Sequence, residues 1–166
     1  RDQLTAYESE YERAILAGSR QIDQYCGRRF YVDDVATSRL FRAQEPDLLW
    51  TGDISTTDDL VVEIDDADDG SFGSTWTLDS DFQMEPGQRP LGEPYDRIAA
   101  VGGRYFPTTP KSTPGRVNSR RYRVRVTAKW GWPSIPDPVK QATIIQAIDH
   151  FKAKDLTHIA ATYGNS

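Results

Sequence analysis

The chain has 166 residues, 37% of them hydrophobic and 27% charged, with a mean hydropathy of -0.64 and a net charge of -5. This is enough chain for one domain with a modest core, and its acidity gives no general affinity for nucleic acid. The single cysteine, Cys26, excludes an internal disulfide and a multi-cysteine zinc site. No apolar run approaches the ~18–20 residues that span a bilayer, and no signal-peptide pattern is visible, so the expectation is a reducing cytoplasm and no membrane. The chain begins at Arg1, and no terminus is read there.

Leu4, Tyr7, Tyr11, Ala14, Ile15, Gly18, Ile22, Tyr25 and Cys26 recur at spacings of three and four. They predict a helix over roughly residues 5–26 that buries one stripe, with Thr5 and Glu8 as its capping box and Gly27 as its stop. Ala14 and Gly18 leave room for another backbone, and Cys26 reads as a small buried residue. Phe30–Val32 and Ser38–Phe41 read as short strands. Leu60, Val62 and Ile64 alternate, Asp65–Gly70 is an acidic turn, and Trp76–Leu78 is the return strand of a hairpin over residues 60–79. Residues 84–96, with three prolines and two glycines, read as loop, and Arg97–Ala99 as a short strand. Residues 107–121 read as an exposed arm.

Tyr122–Trp130 is the clearest strand. Tyr122, Val124, Val126, Ala128 and Trp130 face one way, and Arg123, Arg125, Thr127 and Lys129 the other. The last helix starts with Asp137 as N-cap and Pro138 as its first residue. Val139, Ala142, Ile145, Ile148, Phe151 and Leu156 mark its buried side, widened by Ile144 and Ala147. It is expected to run to about Lys154, leaving residues 157–166 as a tail.

Charge is divided along the chain. Residues 45–96 hold fifteen acids against one arginine, Arg89, whereas residues 115–132 hold five arginines and a lysine with no acid. Asp65, Asp66, Asp68 and Asp69 resemble a calcium loop only superficially, because an EF-hand loop begun at Asp65 would place Ala67 at the third position and Trp76 at the twelfth. The two histidines are His150 and His158; His150 sits on the last helix beside Asp149, which cannot face it, and reads as solvent-facing. No triad, phosphate-binding loop or metal-ligand spacing emerges, so the expectation is a protein that is not an enzyme and carries no cofactor or metal. Arg116, Arg120, Arg121, Arg123, Arg125 and Lys129 could meet phosphates, but the alternation puts the stacking aromatics Tyr122 and Trp130 on the opposite face. Arg121, Arg123, Arg125, Lys129, Trp130 and Trp132 are therefore better candidates for a protein interface, although the tryptophans also suit a core.

The order of these pieces resembles the head–tail connector, or adaptor, proteins of tailed bacteriophages, particularly phages of actinobacteria. The resemblance rests on Tyr25-Cys26-Gly27-Arg28-Arg29-Phe30 closing the first helix, and on Leu48-Leu49-Trp50-Thr51-Gly52 and Leu60-Val61-Val62-Glu63-Ile64 as strands. Its most specific part is Val124–Pro133 followed by Ile135–Thr143: a basic alternating strand, a Gly-aromatic close, a Pro-bearing turn and a helix. It covers about residues 4–155 and is loose over 65–120.

The resemblance implies an α+β fold in which a long N-terminal and a C-terminal helix pack together, with a small antiparallel sheet and projecting loops between. Residues 1–156 would be one adaptor domain, and the tail, with Thr157, His158 and Tyr163, would dock on the portal. It implies a virion protein assembled in the bacterial cytoplasm as a homo-oligomeric ring, usually a dodecamer. The ring would join the portal to the next neck protein or the tail and let double-stranded DNA pass without specific binding. A stopper, a tail-completion protein and a DNA-binding module are the alternatives. The divided charge suggests that Asp65, Asp66, Asp68 and Asp69 of one subunit meet Arg123 and Arg125 of the next. Alternatively, the acids line the bore.

Overall fold

The computed structural model describes residues 2–90, 92–108 and 122–163, and side chains over 8–90, 92–108 and 122–152. The chain is α+β and forms two compact units, residues 1–30 with 135–166, and the intervening residues 31–134.

The first unit is a pair of packed helices, α1 (Asp2–Cys26) and α2 (Asp137–Tyr163). Gly18 is buried at their crossing: a Cβ there would lie 3.0 Å from the Thr143 carbonyl oxygen and 3.1 Å from the Ala147 nitrogen. The absent side chain is what lets the two backbones approach. The helix α1 stops where Gly27 takes φ +62, a value that suits glycine, and its N–H reaches the Gln24 carbonyl.

Several helical expectations need correction. Helix α1 begins at Asp2, so Thr5 lies inside it and not at a cap. Cys26 is exposed, because the last turn runs past the end of the packed stripe. The carbonyl that receives the first helical bond of α2, from Lys140 N–H, belongs to Pro136. The N-cap is therefore one residue earlier than expected, and the Asp137 carboxylate accepts a hydrogen bond from Lys140 Nζ at 2.9 Å. Helix α2 continues to Tyr163, past the expected stop near Lys154, because nothing in Asp155–Tyr163 breaks it.

The second unit packs two antiparallel sheets. Strands β1 (Thr37–Phe41), β3 (Val61–Ile64), β4 (Ser74–Trp76) and β7 (Val124–Ala128) form one, in the order β1-β7-β3-β4. Strands β2 (Leu48–Ile54), β5 (Phe82–Glu85) and β6 (Tyr95–Ala100) form the other, in the order β2-β6-β5. Val62, Ile64, Val124, Val126 and Ala128 from the first sheet and Leu49, Ile54, Phe82, Met84 and Ile98 from the second make one buried core with Trp76, Phe106 and Trp130.

The alternation expected for the basic strand holds, with Val124, Val126 and Ala128 buried and Arg123, Arg125, Thr127 and Lys129 half-buried on the other face. The hairpin holds as β3 and β4, although its return strand is Ser74–Trp76 and Leu78 makes only an isolated bridge to Phe82. Phe30–Val32 is not a strand. The Asp23 carboxylate accepts a hydrogen bond from Phe30 N–H at 3.4 Å, and the Tyr31 carbonyl abuts Gly131 instead of joining a ladder. Residues 84–96 are not all loop: Phe82-Gln83-Met84-Glu85 alternates buried and outward residues, a strand pattern masked by Pro86 and Pro90 immediately after it. Strand β6 is likewise longer than Arg97–Ala99.

Candidate functional site

The outer face of the β1-β7-β3 sheet carries the charged candidates. Glu63 stands directly opposite Arg125 in the β3–β7 register, because both occupy outward positions of alternating strands. Arg125 donates from Nε and Nη2 to the two Glu63 carboxylate oxygens, each at 2.6 Å. This is the paired fork geometry of a strong charge-assisted contact. The bond from Arg125 holds the Glu63 carboxyl below its ordinary pKa; burial opposes the effect and the attraction between the charges adds to it. Arg125 also lies over the Phe72 ring at 4.5 Å.

Arg123 donates to the carbonyl oxygens of Asp65 and Asp66, at 2.9 and 2.7 Å, and lies 4.0 Å from the Asp68 carboxylate. Lys129 is 3.2 Å from Asp59. The acidic hairpin is thus the complement of the basic strand within one sheet of one chain. Arg123 and Arg125, expected to reach a neighbouring subunit, have partners within the chain.

The acidic turn does not converge on a point. Asp65, expected at an interface, is fully buried, and its carboxylate accepts from Asp69 N–H at 3.2 Å and Gly70 N–H at 2.9 Å. It closes its own turn, as a short acceptor side chain can. Asp66 binds the Ser74 hydroxyl, and Asp69 accepts from Ser71 N–H at 2.8 Å. Among the described residues no three His, Cys, Asp or Glu side chains are placed to hold one metal ion.

Trp130, a candidate for an interface, is 1% exposed and belongs to the core. Its Nε1 donates to the Thr37 carbonyl at 2.8 Å, and its ring packs against Phe41 and under the Arg39 guanidinium. Trp132 is partly buried and donates from Nε1 to Asp53 at 3.0 Å. The corner between them is possible because Gly131 has φ +110, where a Cβ would collide with the Tyr31 carbonyl. Arg121 lies outside the described residues, as do Arg116 and Arg120. Thr157, His158 and Tyr163 fall on the last turns of α2, where only the backbone is described.

The helical unit holds a surface that the sequence reading missed. Tyr11, Ala14 and Ile15 of α1 and Ile144, Ala147, Ile148, Phe151 and Lys152 of α2 line a groove of about 250 Å³ whose walls are apolar. Tyr11 and Phe151 stack at 4.7 Å across it. Ile145 and Ile148, expected to be buried, are more than two-fifths exposed. Ala147 and Phe151, expected on the buried side, do meet α1, and Thr143 lies beside Gly18 with Ala147. His150, expected to face solvent, has its Nε2 buried with no hydrogen-bond partner among the described residues. The signal was present: the apolar residues of α2 occupy more of its circumference than one neighbouring helix can cover.

Among the described residues no helix is long and apolar enough to cross a membrane. No protein-family model matches the chain, and searches of curated proteins and of solved structures returned no match either.

Proposed function

We propose that the chain is a structural subunit of a phage head–tail connector, a ring-forming adaptor between portal and tail that performs no catalysis. The observation that carries this reading is the order of elements. A helix closed at Gly27 is followed by antiparallel strands, by the alternating strand β7 ending at Gly131-Trp132, and by a helix begun at Pro136-Asp137. This is the arrangement that the resemblance in the sequence requires.

Surface chemistry supports the reading. A ring subunit leaves apolar surface for its neighbours to cover, and Ile144, Ile145, Ile148, Trp50, Leu40 and Tyr105 are all at least 46% exposed. The acid-rich stretch 45–96 suits a passage along which DNA slides without being held. The portal, the next neck protein and the tail are the partners in this reading, and the virion is its location.

Electron microscopy of the purified protein, alone and mixed with the portal protein of the same phage, tests it. Rings with a central hole, or a new layer beneath the portal, are the expected result. A protein that leaves the portal undecorated would overturn the assignment.

A further inference from the structure

We infer that the apolar groove between α1 and α2 is the docking site for a second copy of this chain. The inference deepens the connector reading, resting on its premise that copies associate, and it names both the surface and the occupant. Tyr11, Ile15, Ile144, Ile145 and Ile148 are 46–58% exposed. On α2, at 100° per residue, positions 144, 145, 148 and 151 fall within about 120° of the helix circumference, so they form one continuous stripe. The stripe lies beside, and not on, the row of Thr143 and Ala147 that meets Gly18. A pair of helices is one layer thick, and the side of α2 that carries this stripe has no third helix among the described residues of its unit.

Area argues that the groove is an interface. Half of a large apolar side chain is about 100 Å², so the four that line the groove offer about 400 Å², and Ile145 beside the groove about 100 Å² more. An interface of ordinary size removes about 800 Å² from each partner, with an apolar share of about three-fifths, and a patch of this size would supply that share.

The occupant follows from the same face. Helices pack by laying ridges spaced four residues apart into the grooves of another helix pair. The face holds both parts: the ridge Ile144–Ile148, and the groove floored by Ala14, Ala147 and Phe151. A second copy therefore brings the shape that the first one receives. Electrostatics permits it. Two copies of net charge -5 repel overall, but among the described residues no carboxylate lines the groove, and Lys152, at the end of the row, is the one charged residue there.

Sedimentation velocity of the full chain from about 1 to about 100 µM, with Ile144→Lys, Ile148→Lys and the control Val35→Lys, tests the inference, because charge in an apolar contact should weaken it about tenfold or more. Val35 is exposed elsewhere, in the sheet unit. The expected result is association of the parent chain and the control, and a shift of both isoleucine variants to monomer with unchanged helical circular dichroism. A parent chain that stays monomeric, or association that survives both isoleucine variants, would overturn it. Should the variants lose helix, hydrogen exchange of the parent chain decides. Protection of Tyr11–Ile15 and Ile144–Lys152 that rises with concentration supports the site, and concentration-dependent protection only elsewhere refutes it. The portal experiment is separate. Association lost in the variants with the portal left undecorated would remove the connector reading and keep this one.

Discussion

Arg125 and Glu63 form the contact on which the charged face of the sheet turns. Arg125→Ala leaves a half-buried carboxylate without its fork and should lower stability modestly, because the guanidinium is partly in solvent. Urea denaturation measures it. The same pair has a pH signature. Glu63 binds its proton less readily in the folded chain than in the unfolded one. Its stabilising contribution is therefore complete above the ordinary carboxyl value of 4.5 and drains away as pH falls through the lowered value. The difference in urea midpoint between parent and Arg125→Ala should shrink between pH 6 and pH 3. A difference that stays constant would mean that Glu63 does not sense Arg125. Asp81 titrates in the same sense, held low first by Thr77 N–H and then by Arg104. Backbone strain sets a second residue-scale expectation: Gly131→Ala should cost about 3 kcal/mol or more, read as a fall in melting temperature, because a side chain there is both strained and obstructed.

At the scale of elements, the sharpest expectation concerns the crossing of α1 and α2. Gly18→Val must push Thr143 and Ala147 away, and it should destabilise the helix pair by about 2 kcal/mol, seen as earlier loss of helical circular dichroism on heating. Strand β7 and the β3–β4 hairpin were legible in the sequence because each buries one face and alternates cleanly. Both long helices were legible from their periodicity, with Gly27 ending the first, but nothing marked the end of the second. Strand β5 was hidden because Pro86 and Pro90 crowd a four-residue alternation. The face of α2 toward α1 was legible at Ala147 and Phe151 but not at Ile144, Ile145 and Ile148, because isoleucines ring the helix and periodicity alone does not say which part of a broad apolar band finds a partner. The pairing of Arg125 with Glu63 within the chain was not legible. Glu63 and Arg125 are 62 positions apart, and only the strand order, which one sequence does not reveal, brings them face to face.

At the scale of the whole molecule, protection against hydrogen exchange should divide by unit. Amides of β3 and β7, central in their sheet and above a fully buried core, should exchange about tenfold or more slowly than those at the middle of α1. Mass spectrometry of peptic fragments reads this, and equal protection would mean that the chain opens as one body. The sheet unit is also an insertion within the helical one, since α1 precedes it and α2 follows. On the ribosome, α1 is made roughly 110 residues before its packing partner begins, an interval of about 5 to 20 seconds at ordinary translation rates. During that time Gly18 has no helix to receive, while every strand of both sheets is already outside or emerging. The helix pair is therefore a late-forming clasp, whose closure must wait until α2 has been made.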